Sequence, residues 1–92
     1  MEHLVRKAIQ SDAPAILGLI RELAVFEREP DAVVVTQEDI EQHGFGSHPL
    51  FECIVAEIGN TVVGMALFYP RYSTWKGPTW HLEDLIVTEN HK

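Results

Sequence analysis

Ionisable side chains cluster in one apolar stretch near the end of the chain, residues 79–87. His81, Glu83 and Asp84 interrupt a segment that ends in three aliphatic residues and is rich in residues that favour β-strands. Burying a carboxylate without a partner is costly, so a buried strand with two adjacent acids needs a reason for them. A positioned carboxylate can take a proton from a reacting group, which would be such a reason. The alternative is a half-exposed strand whose acids are solvated or paired with an arginine.

The composition limits the classes of protein that this chain can belong to. Its 92 residues are 46% hydrophobic and 23% charged, which is typical of a single globular domain. The net charge of −7 argues against binding to nucleic acid or to an anionic membrane surface, and is compatible with a cationic ligand. No apolar run approaches the roughly 20 residues of a membrane span, and the N-terminus lacks the apolar region of a signal peptide. We therefore expect a cytoplasmic protein.

The single cysteine and the scattered histidines indicate structure rather than chemistry. Cys53 has no cysteine partner in the chain and lies in a strand-like run, so a buried thiol is favoured over a nucleophile. His3, His43, His48 and His91 show no spacing typical of metal ligands. We predict no metal site.

Two helices are predicted before the second strand. Apolar residues at helical spacing indicate a helix over about residues 12–27, with Ser11 or Asp12 as its N-cap. A second, shorter helix begins after Thr36, whose hydroxyl can accept a backbone amide hydrogen. It is predicted to end near Gly44, with that glycine in the left-handed conformation.

The remaining segments predict an antiparallel sheet. The predicted strands cover residues 4–9, 51–58, 61–69 and 79–87. Gly59–Asn60 forms a hairpin turn, residues 70–77 form a connection, and the third strand is central because both of its faces are apolar. The order β-α-α-β-β-β gives an α+β fold with an antiparallel meander. One face of the sheet is expected to be only partly covered, so the chain reads as cut short.

Alternation of side chains assigns the residues of the last strand to two faces. Successive side chains of a strand point to opposite sides of the sheet. His81 and Glu83 are therefore predicted on one face, and Trp80 and Asp84 on the other.

Several short motifs carry a resemblance to a known family. They are Ile20–Ala24 with Phe26–Glu27, His43–Gly46, Val55–Glu57, Tyr72–Gly77 and Leu82–Leu85. In these motifs the chain resembles the N-terminal half of a GNAT-fold N-acetyltransferase, most closely the diamine (spermidine/spermine) and thialysine acetyltransferases. The resemblance covers nearly all 92 residues and implies the GNAT-like (acyl-CoA N-acyltransferase) fold. Residues 1–92 would be the N-terminal half of one domain, and the loop that holds the coenzyme A pyrophosphate would follow residue 92.

The resemblance also implies roles for particular residues. Glu83 would bind the reacting amine and act as general base, through a water molecule. Glu27, with Phe26 beside it, would contact the far end of the substrate. Asp84 would add negative potential near the amine, and Trp75 would form a wall of the acceptor pocket.

The cosubstrate implied by the resemblance is acetyl-CoA. The backbone of Leu85, Ile86 and Val87 would bind its acetyl and pantetheine parts in the manner of a β-strand. The general acid of the family is a tyrosine that would lie beyond residue 92. His81 occupies a position where the family often has tyrosine, and we interpret it as a structural or tuning residue. Members of the family are usually dimers, which implies a homodimer here.

The substrate and the class of function leave alternatives open. Ser73 stands where the spermidine/spermine enzymes commonly have aspartate, whereas the thialysine-type relatives share the Ser-Thr-Trp-Lys-Gly motif of residues 73–77. Short amines and thialysine-like amino acids are therefore plausible substrates beside di- and polyamines. The first hypothesis is an acetyltransferase of small primary amines, with little activity expected of this span alone. The alternatives are an acidic small-ligand binding module and a non-catalytic fragment whose last strand pairs with another chain.

Overall fold

The computed structural model describes residues 3–88, which form a four-stranded antiparallel sheet with two helices packed on one face. The strands are β1 (His3–Lys7), β2 (Glu52–Ile58), β3 (Thr61–Ser73) and β4 (Gly77–Val87), and the helices are α1 (Ala13–Phe26) and α2 (Gln37–Phe45). Single 3-10 turns cover Gln10–Asp12 and Pro30–Ala32. The predicted α+β class and the order β-α-α-β-β-β are confirmed. His91, predicted not to be a metal ligand, lies outside the described residues.

Helix α1 forms where it was predicted, but its N-cap interaction differs. Asp12 occupies the N-cap position without a side-chain bond to the helix. Its carboxylate instead accepts the Ile9 amide at 2.8 Å and two hydrogen bonds from the Arg6 guanidinium. The predicted N-cap position is therefore confirmed for Asp12, but its side chain does not cap the helix, because a cation on β1 and the Ile9 amide take its oxygens. The helix ends where Arg28 adopts a φ of 63°.

Helix α2 has the predicted start and a different end. Thr36 Oγ1 accepts the Asp39 amide at 3.1 Å, and the Asp39 carboxylate accepts the Thr36 amide at 2.9 Å, so the predicted Thr36 cap is confirmed. The left-handed cap predicted at Gly44 is wrong, because the helix continues to Phe45. Gly44 is needed for a different reason: a Cβ at this position would collide with the ring of Phe51.

The strand order is β1-β2-β3-β4, so β3 lies inside the sheet as predicted. The turn at Gly59–Asn60 is also confirmed, with φ of 52° and 70° at its two residues. The connection predicted over residues 70–77 is wrong, since most of it extends the β3–β4 hairpin. Pro70 is tolerated there because β2 pairs with β3 only as far as Phe68, which leaves that edge of β3 open.

The core lies between the helices and one face of the sheet. Ile16 of α1 and Val55 of β2 are fully buried, and Met65 and Leu67 of β3 join the same cluster. The opposite face exposes Val5, Ile54, Leu85 and Val87, as expected for a sheet covered on one side. Within residues 3–88, no helix is long and apolar enough to cross a membrane.

Candidate active site

A one-residue bulge in β4 places the acidic residues. Leu67 pairs with Asp84 and Phe68 pairs with Leu82, so Glu83 is an extra residue with no partner on β3. Bulges bend a strand and redirect its side chains, and they are frequent beside active sites. Glu83 therefore lies at an irregular point of the strand, with its side chain 55% exposed.

The bulge changes which side chains share a face. Residues directly opposite each other in an antiparallel pair lie on the same face. Asp84 is opposite Leu67 and therefore lies on the helix-covered face, and His81 is opposite Tyr69 on that same face. The prediction that Trp80 and Asp84 share a face is wrong, because the extra residue shifts the alternation by one.

The charges of Glu83 and Glu27 both act on the carboxyl group of Asp84. Asp84 is half-buried, and its pKa is raised by burial first and then by the negative charges of Glu83 and Glu27. Glu27 comes from the C-terminal end of α1, more than 50 residues away in sequence. The predicted acidic residues are thus brought within electrostatic reach of one another. A cation bound among them would relieve their mutual repulsion.

A cleft separates the second half of α1 from the end of β4. Its volume is about 380 Å³, and its lining is mainly apolar. The lining residues are Glu22, Leu23, Val25, Phe26, Leu85, Ile86 and Val87. Phe26, predicted to contact substrate, and Leu85–Val87, predicted to bind the cosubstrate, therefore line the same cleft.

The acids lie at one end of this cleft, and a hydrogen bond closes the other. Thr88 Oγ1 donates to Glu22 Oε1 at 2.7 Å, which joins the end of β4 to the middle of α1. Glu27 directly follows the cleft residue Phe26, and Asp84 directly precedes the cleft residue Leu85. Both acids therefore lie next to the cleft, on the side away from the bond between Thr88 and Glu22. The arrangement can hold an apolar group in the cleft and a cationic group at its acidic end.

The outer edge of β4 borders the cleft. Within residues 3–88, β4 pairs with β3 and with no other strand. Alternate amide and carbonyl groups of Leu85–Val87 therefore face away from the sheet without a strand partner. Such groups can bind an extended amide-containing ligand by strand-like hydrogen bonds.

Glu83 has a neighbour that sequence reasoning did not assign to it. His81 Nε2 lies 3.9 Å from Glu83 Oε1, and His81 Nδ1 lies 3.2 Å from Arg71 Nη1. Arg71 is part of the hairpin extension that was predicted as a loop. Only the pairing of β3 with β4, which is not visible in the spacing of residues, brings it to His81.

Trp75 is not brought to the acidic cluster. It lies in the turn of the β3–β4 hairpin and is 94% exposed. The six steps along the strand from Gly77 to Glu83 span roughly 20 Å at the usual rise per residue. Its role in the acceptor pocket remains a prediction.

The remaining candidates have structural environments. Cys53 is buried, and burial, together with the charges of Asp12 and Asp84, raises the pKa of its thiol to about 12. A thiol with so high a pKa is a poor nucleophile, which agrees with the predicted structural role. Among residues 3–88, no group of three or more histidine, cysteine, aspartate or glutamate side chains is arranged to hold a metal ion.

Comparison with known proteins supplies the family. The sequence model of the Acetyltransferase (GNAT) family matches residues 13–92. The chain belongs to the GNAT acetyltransferase family. This agrees with the resemblance in the short motifs and with the four-stranded α+β architecture.

Relatives of this GNAT chain carry the names of thialysine and spermidine/spermine acetyltransferases. It is 41% identical to thialysine N-epsilon-acetyltransferase of Bos taurus over 97% of the chain, and 42% identical to the Caenorhabditis elegans protein of that name over 82%. It is 40% identical to human spermidine/spermine N(1)-acetyltransferase-like protein 1 over 96% of the chain. The chain spans 57% of the length of the bovine protein, 46% of the nematode protein and 14% of the human one.

Solved structures support the fold. A possible acetyltransferase from Clostridium difficile 630 superposes with a TM-score of 0.73 at 14% identity, covering 100% of this chain and 61% of that one. An aminoglycoside acetyltransferase from an uncultured soil metagenomic sample gives 0.69 at 20% identity, covering 96% and 57%. At these identities the similarity concerns the fold alone.

Proposed function

We propose that this GNAT chain supplies the amine-binding half of an acetyl-CoA-dependent N-acetyltransferase that acts on a primary amine of a thialysine-like amino acid or a short di- or polyamine. The observation that carries the proposal is the position of Asp84, which lies within electrostatic reach of Glu83 and Glu27 and directly precedes the apolar cleft residue Leu85. The overall charge of −7 supports a cationic substrate in the same way. The relatives named for thialysine and spermidine/spermine acetylation support this class of substrate.

The reaction requires the amine to lose a proton. A lysine-like amine has a pKa near 10.4, so fewer than about one molecule in a thousand is neutral at pH 7. In the proposed mechanism Glu83 removes this proton through a water molecule. The neutral nitrogen then bonds to the thioester carbonyl carbon and the carbon–sulfur bond breaks. The nitrogen, now an amide, loses its second proton, and the departing thiolate takes it up.

The other residues bind and orient. Asp84 and Glu27 hold cationic groups of the substrate at the acidic end of the cleft, and Phe26 packs against its aliphatic part. The free groups on the edge of Leu85–Val87 bind the acetyl and pantetheine portion of acetyl-CoA, whose apolar and amide character fits the cleft. Trp75 forms a wall of the acceptor pocket in this proposal, as the family resemblance implies.

The proposed enzyme acts as a cytoplasmic homodimer and needs no metal ion. The homodimer follows from the family resemblance, whereas the location and the independence from metal follow from the sequence predictions above. Sedimentation equilibrium of the purified protein tests the dimer. Activity that persists in the presence of a chelator tests the independence from metal.

The base role is tested by Glu83→Gln in the longest natural form of the protein that contains these residues. Acetylation of thialysine, lysine, putrescine and spermidine is measured at pH 7 and at pH 9, with exposed Glu38→Gln as matched control. Glu83→Gln should lower kcat/KM much more at pH 7, because at pH 9 more of the amine is already neutral. Equal losses at both pH values would reject the base role. Amine binding without any acetyl transfer would support the binding-module alternative instead.

A further inference from the structure

Arg71 and His81 form a contact beside Glu83 to which the proposed function gives no role. Both lie on the face of the β3–β4 hairpin that carries Tyr69, since Tyr69 pairs with His81 and Arg71 with Thr79. Arg71 Nη1 is 3.2 Å from His81 Nδ1, and His81 Nε2 is 3.9 Å from Glu83 Oε1. The imidazole ring therefore lies between a guanidinium and the carboxylate of the proposed base.

The chemistry of arginine assigns the hydrogen on the neutral imidazole. A guanidinium only donates hydrogen bonds, so Nδ1 of His81 must accept from Arg71. The ring hydrogen of the neutral histidine then lies on Nε2, the nitrogen nearest to Glu83. Nδ1 already accepts a bond and Nε2 already carries a hydrogen. His81 in this state is not itself placed to remove a proton from a substrate.

Glu83 is a side chain that needs orientation. It has no partner residue on β3, and it is more than half exposed. A free glutamate loses conformational entropy when it is fixed in one rotamer. A neighbour that limits its rotamers in advance reduces this cost at the moment of reaction.

We propose that Arg71 and His81 are positioning residues for Glu83, with Arg71 holding the imidazole so that its Nε2–H directs the carboxylate toward the incoming amine. This inference rests on the base role of Glu83 in the proposed function. A small rotation of the exposed glutamate would shorten the 3.9 Å separation to hydrogen-bond distance. The ring of Tyr69, whose centroid is 5.1 Å from that of His81 at 52°, limits the rotation of the imidazole from the other side.

The tautomer of His81 gives a test that does not depend on activity. Nitrogen-15 NMR of the His81 ring is recorded in the longest natural form of the protein at a pH where the imidazole is neutral. The expected result is the Nε2–H tautomer alone, with a mixture of tautomers in Arg71→Met. Lys76→Met removes a cation from the same hairpin and should leave the ring signals unchanged. An Nδ1–H tautomer in the unmodified protein, or no change in Arg71→Met, would overturn the proposal.

Kinetics of two substitutions at His81 separate positioning from packing. His81→Gln keeps an N–H donor near the place of Nε2, whereas His81→Leu keeps apolar volume without the donor. We expect His81→Leu to lower kcat on the order of 10- to 100-fold with little change in the KM for the amine, and His81→Gln to retain most of the activity. Equal losses in the two variants would contradict a positioning role.

A double variant separates failure of this inference from failure of the proposed function. In a Glu83→Gln background, His81→Leu should cause no further loss, because its effect is exerted through Glu83. Full additivity, with Glu83→Gln itself strongly impaired, would overturn the positioning role and leave the base role intact. Full activity of Glu83→Gln would overturn the proposed function and the positioning role with it.

Discussion

Thr88 and Glu22 are joined by a 2.7 Å hydrogen bond across 66 positions of sequence, and this bond closes one end of the cleft between α1 and β4. At the other end, Glu27 and Asp84 repel each other. Helix and strand are thus joined by a hydrogen bond at one end of the cleft, and two like charges face each other at the other end. The cleft is therefore expected to admit a ligand from its acidic end.

Removing the Thr88 hydroxyl should weaken this attachment. Thr88→Val keeps the shape of the side chain and deletes the donor to Glu22. The free energy of unfolding should fall by about 0.5–1.5 kcal/mol, the usual contribution of one hydrogen bond. Urea denaturation of the intact protein measures the loss, and Thr74→Val in the exposed hairpin turn is the control. An unchanged midpoint would show that the bond does not hold α1 against β4.

Neutralising Asp84 should stabilise the protein while impairing the proposed site. Burial and the charges of Glu83 and Glu27 raise the pKa of Asp84, so the folded state binds this proton up to a higher pH than the unfolded state does. Above both pKa values the charged carboxylate therefore lowers stability. Asp84→Asn should gain up to about 1 kcal/mol at pH 7, and the gain should vanish well below pH 3.8, where the acid is protonated in both states.

Thermal and urea unfolding of Asp84→Asn across this pH range make the measurement. Asp31→Asn, an exposed change of the same charge, is the matched control. A loss of stability at pH 7 in Asp84→Asn alone would contradict the repulsion among the acids.

The Arg6–Asp12 ion pair should have the opposite effect to Asp84: its contribution to the free energy of unfolding should decrease as the pH falls. Hydrogen bonds from Arg6, and then that from the Ile9 amide, lower the pKa of the Asp12 carboxyl, which is 7% exposed. Its contribution is therefore complete above the ordinary pKa of 3.8 and is lost as the pH falls through the lowered one. Asp12→Asn should cost about 1–3 kcal/mol at pH 7 and progressively less in acid.

Urea titrations at neutral pH and at about pH 3 would measure this difference. The same Asp31→Asn variant accounts for the loss of one negative charge. A cost for Asp12→Asn that stays constant with pH would indicate that packing, rather than the charge of the carboxylate, accounts for its effect.

Cys53 should resist alkylation while the protein is folded. With a thiol pKa of about 12, only about one molecule in ten thousand is thiolate at pH 8. Iodoacetamide labelling followed by mass spectrometry should show little modification in buffer and rapid modification in concentrated urea. Rapid labelling of the native protein would show that the sheet opens around β2.

Local signals in the sequence predicted most elements of the fold. Thr36 capped α2 and Gly59–Asn60 closed a hairpin as predicted, because both depend on residues only a few positions apart. Asp12 did not behave as predicted, since Arg6, a cation on another element, takes its oxygens. Gly44 could not be read correctly either, because the reason for a glycine there is the ring of Phe51.

The sequence predicted which residues belong to the candidate site, but not how those residues are arranged relative to one another. Glu27 and Asp84 were chosen by resemblance, and the structure brings them within electrostatic reach. The relation between His81 and Arg71 depends on the register of β3 against β4, and no local pattern encodes that register. The bulge at Glu83 could not be predicted for the same reason, since a bulge exists only relative to the strand that it pairs with.

In a regular strand, the position of a residue along the chain fixes the side of the sheet that it faces. The extra residue at Glu83 shifts this alternation by one. Odd-numbered residues before it and even-numbered residues after it therefore face the helices, as His81 and Asp84 both do. Replacing Glu83 changes one functional group. Deleting it would restore regular alternation and turn the side chains of one half of β4 to the other face of the sheet. The number of residues at this point of the chain is therefore constrained by the sheet, independently of the chemical role of Glu83.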